Sequence, residues 1–285
     1  KAMSLLLAHH FAESGKVLDE VTARKDKSMF KGLPHVLRAI CHAAAGERDG
    51  CSSELKVLSK LKMKGKDKDL CEFVLDATQE RATGFALMPY QMLYIRRDVA
   101  HMQPHTAKAW LALLDRDWDA ASAGGKKAVP RDEQLTYRLL RCVYRRIADS
   151  SCKDEVANEL RAILNEVKPM KSGLSGKRHS LAVLKAFAYA EVAEIEHERG
   201  NLDAAEALLK ETVSLCSSNV LESTLRPRAT IGIEQIREER RRQKGAAPTS
   251  TTVTPEPSDV VKTTTTPAIT DDDLRRAVEE EDAKF

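Results

Sequence analysis

An all-α fold is predicted by three observations on this 285-residue chain. Aromatic side chains make up 5% of it, and Ala, Leu, Lys, Glu and Arg abound where β-branched residues are few. That composition favours helices over sheets. Apolar residues recur at helical spacing throughout residues 1–244, with no strand-period run of useful length. Short breaks rich in Gly, Pro and Asp divide the pattern.

In chain order, Leu5, Leu6, His9 and Phe11 precede a break, after which Ser14, Val17, Leu18 and Val21 recur at helical spacing. Val36, Leu37, Ile40, Ala43 and Ala44 form a second stripe closed by Gly46. Leu55, Leu58 and Leu61 make a third, followed by a lysine-alternating loop from Lys60 to Lys68. Further helices are expected over 69–82, 84–101, 105–114, 118–128, 133–149, 153–167, 180–198, 202–215 and 221–243. Breaks are expected at Gly84, Pro104, Asp115-Arg116-Asp117, Pro130, Lys171–Gly176 and Gly200.

Residues 245–285 differ in kind. Four of the ten prolines and nine threonines fall in 245–270, with little apolar surface to offset the entropy of ordering. This predicts a disordered Thr/Pro-rich acidic tail, with a possible short helix over 271–283 capped by Thr270. The tail holds nine acidic and four basic side chains, so the overall net charge of +3 hides a body of +8 and a tail of −5. The basic body favours acidic partners or anionic surfaces. The chain opens Lys1-Ala2-Met3 without a signal-peptide layout, which reads as a fragment or processed product, so 1–244 is expected to belong to a longer array.

Six cysteines (Cys41, Cys51, Cys71, Cys142, Cys152 and Cys216) are scattered without a CxxC pair, four of them inside apolar helical patterns. Free buried thiols in a reducing compartment are expected. No window approaches 18 consecutive apolar residues, which excludes a spanning helix of the ordinary kind. Cytoplasmic residence is the expectation. Peripheral attachment to an intracellular membrane or lipid droplet, and nuclear residence, stay open.

A repeated unit underlies the breaks. Phe11-Ala12-Glu13-Ser14, Arg48-Asp49-Gly50-Cys51, Trp118-Asp119-Ala120-Ala121 and Leu202-Asp203-Ala204-Ala205 are each expected to open the second helix of a hairpin. The fourth residue is small in every case, because bulk at a helix crossing would push the backbones apart. Successive spacings are 37, 70 and 84 residues. The second equals two periods of roughly 34, the tetratricopeptide length, and the others are one such repeat with insertions.

Tyr189-x-x-Val192-Ala193 stands where the tetratricopeptide signature has Trp-x-x-Leu-Gly. Gly200-Asn201-Leu202 forms the turn, and Ala205-x-x-x-Leu209 matches Ala-x-x-x-Phe. The Trp118 unit keeps Ala109, Trp118, Ala121 and Ala128, and the Cys51 unit keeps Ala39, Gly46, Cys51 and Leu55. The chain thus resembles the tetratricopeptide repeat superfamily, which implies degenerate helical hairpin repeats wound into an α–α superhelix. Glu196 at the usual Tyr position, Gly125 at a normally large one and the missing closing proline depart from the signature. An irregular helical bundle is the alternative.

The ends carry a narrower likeness. His9-His10-Phe11-Ala12-Glu13-Ser14, with Leu18 and Lys27-Ser28-Met29-Phe30-Lys31-x-Leu33, resembles the opening repeat of the tetratricopeptide repeat protein 39-like family, which includes a fungal inclusion-body clearance protein. Val220-Leu221-Glu222-Ser223-Thr224-Leu225-Arg226-Pro227-Arg228 is similar to its closing segment. Between these ends the likeness is in helix order only, and members of the family are much longer. The resemblance implies a non-catalytic adaptor linked to lipid handling and clearance of misfolded protein.

Signs of chemistry are sparse. Ser172–Lys177 and Gly124-Gly125-Lys126-Lys127 lack the spacing that wraps a phosphate, and no GxSxG elbow exists. His101 and His105 stand four apart, but Pro104 between them predicts a helix boundary and no HExxH glutamate accompanies them. Glu194-Ile195-Glu196-His197-Glu198 reads as a solvated charged face. No catalytic residue, metal or cofactor is assigned, nor a small-molecule substrate. An enzyme with an unrecognised site is the least favoured reading. Nucleic acid is also disfavoured, for want of aromatic residues among the basic runs.

Two surfaces are expected instead. The repeat register puts Thr106, Trp110, Phe187, Glu194 and His197 on the concave side as candidate contacts for a partner's helix or extended peptide. Core packing is the alternative for Trp110. Lys60, Lys62, Lys64 and Lys66, with Arg240, Arg241 and Arg242, are candidate contacts for anionic lipid.

Overall fold

The computed structural model describes residues 2–23, 31–62, 65–79, 84–123, 129–170, 178–216 and 221–245. Among them it is all-helical, without a strand. The α-helices are α1 (Ala2–Leu7), α2 (Phe11–Ala23), α3 (Leu33–Ala44), α4 (Arg48–Leu58), α5 (Gly65–Gln79) and α6 (Gly84–Ile95). There follow α7 (Pro104–Ala123), α8 (Arg131–Ala148), α9 (Lys153–Val167), α10 (Arg178–Glu198), α11 (Leu202–Leu215) and α12 (Leu225–Gly245). The expected tail with its short helix over 271–283 lies outside the described residues.

Three hairpins share one turn. In α3–α4, Ala45 N–H donates to Cys41 O, Gly46 N–H to Ala43 O and Glu47 N–H to His42 O, at 2.8–3.0 Å. In α10–α11 the same three bonds run from Arg199, Gly200 and Asn201 to Ile195, His197 and Glu196, at 2.8–3.1 Å. In α1–α2 they run from Ala8, His9 and His10 to Ser4, Leu6 and Leu5, at 2.8–3.1 Å. The middle donor is left-handed each time: φ is 65° at His9, 79° at Gly46 and 78° at Gly200. Five residues past each of these stands the small residue singled out by the repeat, Ser14, Cys51 or Ala205, and all three are buried. Three of the four expected hairpin openings are therefore present.

The fourth is not. No turn precedes Trp118; α7 runs unbroken through Asp115-Arg116-Asp117. The two aspartates of this triplet are clasped by neighbouring helices, while Arg116 between them is exposed. Asp115 accepts from Tyr137 (2.8 Å) and Arg141 (3.2 Å) of α8, and Asp117 from Tyr90 of α6 (2.7 Å). The Trp118 ring stacks flat on Tyr137, centroids 4.4 Å apart. Other boundaries also move: α5 begins at Gly65, inside the expected lysine loop, α6 stops at Ile95, six residues before the expected end, and α12 begins at Leu225 rather than at 221.

The core centres on α6. Residues 87–95 are buried on every side of that helix, the pattern of an element wrapped by neighbours. It packs on α3, α5, α7 and α8, while α10 packs on α5, α8, α9 and α11. All six cysteines are free and buried. Burial pushes the thiols of Cys51, Cys142 and Cys216 up to about 12, so they are neutral packing groups near pH 7. Among the described residues no helix is long and apolar enough to cross a membrane.

Candidate binding groove

α12 packs along α11 and has its own small core. Ala229, Ile233 and Ile236 meet Ala193, Ala205 and Leu209 in a cluster separate from the main one. Gly232 marks the closest approach, since a Cβ there would stand 2.9 Å from Leu209 Cδ1. Beside this contact a cavity of about 300 Å³ opens between α10 and α12. Ala190 and Ala193 line it from α10, Ala229 and Ile231 from α12, and Arg97 from the second residue past the α6 C-terminus. Ile231 is 54% exposed, the most exposed large apolar side chain among the described residues.

Charged groups join the two walls. Arg228 of α12 pairs with Glu194 of α10, which also accepts from Arg146 of α8 at 2.7 Å. Arg146 lies 3.4 Å from Glu191, a buried carboxylate that accepts the Tyr94 hydroxyl. Burial, and then the Glu191 charge, push the Tyr94 phenol well above its ordinary value, so it acts only as a donor here. His197 Nε2 lies 3.0 Å from Glu239. Within this set two arginines and one histidine face three glutamates. Arg97, by contrast, is exposed and makes no ion pair or hydrogen bond through its side chain among the described residues.

The sequence-predicted contacts fall into two groups. Glu194 and His197 line the groove, both half-buried. Trp110 and Phe187 are corrections, being 0% and 3% exposed and so closed to a partner. Trp110 is held by Tyr90 and Phe11 edge-on and donates from Nε1 to Leu7 O at 3.2 Å; Phe187 packs edge-on against Tyr94, 4.3 Å between centroids. For Trp110 the core alternative is the one the fold adopts. Thr106 is half-buried on α7, which packs chiefly on α6 and α8 rather than on α10, so it does not join the groove.

The expected solvated face at 194–198 is also corrected. Glu196 is buried and accepts from Arg161 (3.0 Å) and Asn201 (2.7 Å). Burial pushes its carboxyl up, but those hydrogen bonds outweigh it and hold the group below the usual carboxylate range.

The basic runs divide similarly. Lys60 and Lys62 are exposed, while the side chains of Lys64 and Lys66 lie outside the described residues. Arg240 is committed to Asp203 and Glu206 of α11 and is not a free cation. Lys210, with Arg240, holds the Glu206 carboxyl down at about 2. Arg241 and Arg242 are exposed and, among the described residues, pair with Glu238 on their own helix. His101 closes a 3₁₀ turn and His105 opens α7, so they do not share one helical face.

Sequence reasoning missed Arg97, Arg228 and Ile231. Arg97 sits in the turn just after α6, which no Gly or Pro marks, so no local signal could have found it. Ile231 was discoverable, since it falls off the Ala229, Ile233, Ile236 stripe of its own helix. No known protein family, no curated protein and no solved structure matches this chain.

Proposed function

We propose that residues 1–245 form a tetratricopeptide-type repeat module acting as a non-catalytic adaptor. It takes a helix or peptide of a protein partner in the groove between α10 and α12. The recurring turn with its small residue supports the repeat assignment. The observation that carries the binding reading is the groove: alanines on both walls with Ile231 open to water, and acid–base pairs bracing the sides. An apolar anchor of a partner desolvates most readily where the receiving wall is already rigid and shallowly polar.

The test compares Ile231→Asp with Val21→Asp, a control at another exposed apolar side chain (46% exposed). Partners crosslinked to the full chain in cell extract are identified and their affinities measured. Ile231→Asp is expected to lower affinity at least tenfold with Val21→Asp unchanged. Equal affinity for both variants removes the groove from the reading.

A further inference from the structure

Resting on that reading of the groove, we infer that its occupant is an acidic peptide segment of a protein partner, with Arg97 receiving a carboxylate while Ile231 meets an adjacent apolar side chain. Three observations carry this. The first is a cation without a partner at the groove: Arg146 and Arg228 are engaged by Glu191 and Glu194, Glu239 lies against His197, and Arg97 alone of the arginines there makes no side-chain ion pair among the described residues. The second is its backbone. Arg97 has φ 66°, a left-handed conformation that costs a non-glycine residue; among the described residues it is shared with Gly46, Gly200 and His9, and His9 has the Trp110 ring to hold it there. The neighbouring turn gives no reason for arginine: Arg97 N–H donates to Tyr94 O and its carbonyl accepts from Ala100, bonds a glycine makes equally well. The third is that residues 1–244 carry a net +8, which favours encounter with acidic chains.

Arginine's planar fork grips a carboxylate through two parallel hydrogen bonds, and beside an apolar wall such a bond is less screened than in open water. A partner of alternating acidic and apolar character satisfies both walls at once. A neutral peptide would leave the guanidinium unpaired.

The variant Arg97→Gly separates binding from folding, because it removes the side chain while relieving the backbone. The probe is a fluorescein-labelled twelve-residue peptide repeating Glu-Glu-Leu, titrated by anisotropy against the full chain. A Gln-Gln-Leu peptide is run in parallel. Expected results are tighter binding of the acidic peptide, weakening as salt rises, and a loss of about tenfold in Arg97→Gly. The melting temperature of that variant should be equal or higher. Equal binding of the two peptides, or an unchanged affinity in Arg97→Gly, overturns the acidic occupant. If Ile231→Asp still abolishes binding in that case, the groove itself stands; if neither variant matters, both readings fall. Affinity that rises when Asp271, Asp272 and Asp273 are changed to Asn, or that tracks self-association of the chain, also overturns a partner in trans.

Discussion

The α1–α2 and α10–α11 turns have the same hydrogen-bonded backbone and treat its left-handed residue in opposite ways. Gly200 meets the requirement for free, and a Cβ added there would touch nothing within 4 Å. His9 takes the same conformation with a full side chain, which lies against Trp110 with ring centroids 4.8 Å apart and near Phe11 at 5.8 Å. One turn is therefore set by local backbone freedom, the other by a ring on a helix a hundred residues away. The difference teaches that a repeat can keep its geometry while exchanging a local cause for a tertiary one. Gly46 follows the Gly200 solution, including open space around its Cβ. Even the side-chain clasp across these two turns is shared: His42 Nδ1 lies 2.7 Å from Glu47, and Asn201 donates to Glu196 at 2.7 Å.

The largest break in the comparison comes from Trp110→Ala. Removing a fully buried tryptophan costs about 3–5 kcal/mol by lost transfer energy and cavity formation. It also strips the Leu7 carbonyl of its indole donor and His9 of its support. Urea unfolding should show the global loss. Hydrogen exchange should show the amides of His9 and His10 losing protection ahead of Gly200 and Asn201. Uniform loss at both turns would mean that the first turn does not depend on the ring.

A smaller effect separates the turns themselves. Gly46→Ala and Gly200→Ala should each destabilise by about 1 kcal/mol, because the only penalty is backbone strain at positive φ. His9→Gly should behave differently. It gains a similar amount of relief, but loses an aromatic contact of about 0.5–1.5 kcal/mol and adds flexibility to the unfolded chain. Those terms nearly cancel, so thermal unfolding should move little. In the Trp110→Ala background His9→Gly should become stabilising, and a double-mutant cycle measures that coupling.

What was legible in the sequence follows the same division between local and tertiary causes. The turns at Gly46 and Gly200 announce themselves through glycine, and Ser14, Cys51 and Ala205 through size at a crossing. The continuity of α7 was hidden, because Asp115 and Asp117 look like turn residues until Tyr137, Arg141 and Tyr90 arrive from other helices. The groove was half visible. Glu194 and His197 follow from helical register, whereas Arg97 depends on where α6 stops and Arg228 on which helix α12 meets. Trp110 and Phe187 fall on the expected helices, but register alone does not say which faces other helices cover.

The smallest expected effect tests the price of the His9 solution through pH. Burial, and then the neighbouring His10 charge, lower the His9 imidazole below its ordinary value of 6.5. Its Nε2 is enclosed without a hydrogen-bond partner among the described residues, and the Trp110 and Phe11 rings lie against the imidazole. The folded chain thus prefers the neutral ring, and the unfolded chain accepts a proton more readily. Stability from this group is fully present above 6.5 and falls as pH drops through that value toward the lower folded one. Comparing the parent with His9→Gln between pH 8 and pH 5.5 isolates it, since the depressed carboxyl of Glu206 responds only at lower pH. The parent should lose more stability than the variant across that interval, seen as a steeper fall in melting temperature. Parallel curves would show that His9 accepts its proton without leaving Trp110, and the first turn would then be as indifferent to acid as the turn at Gly200.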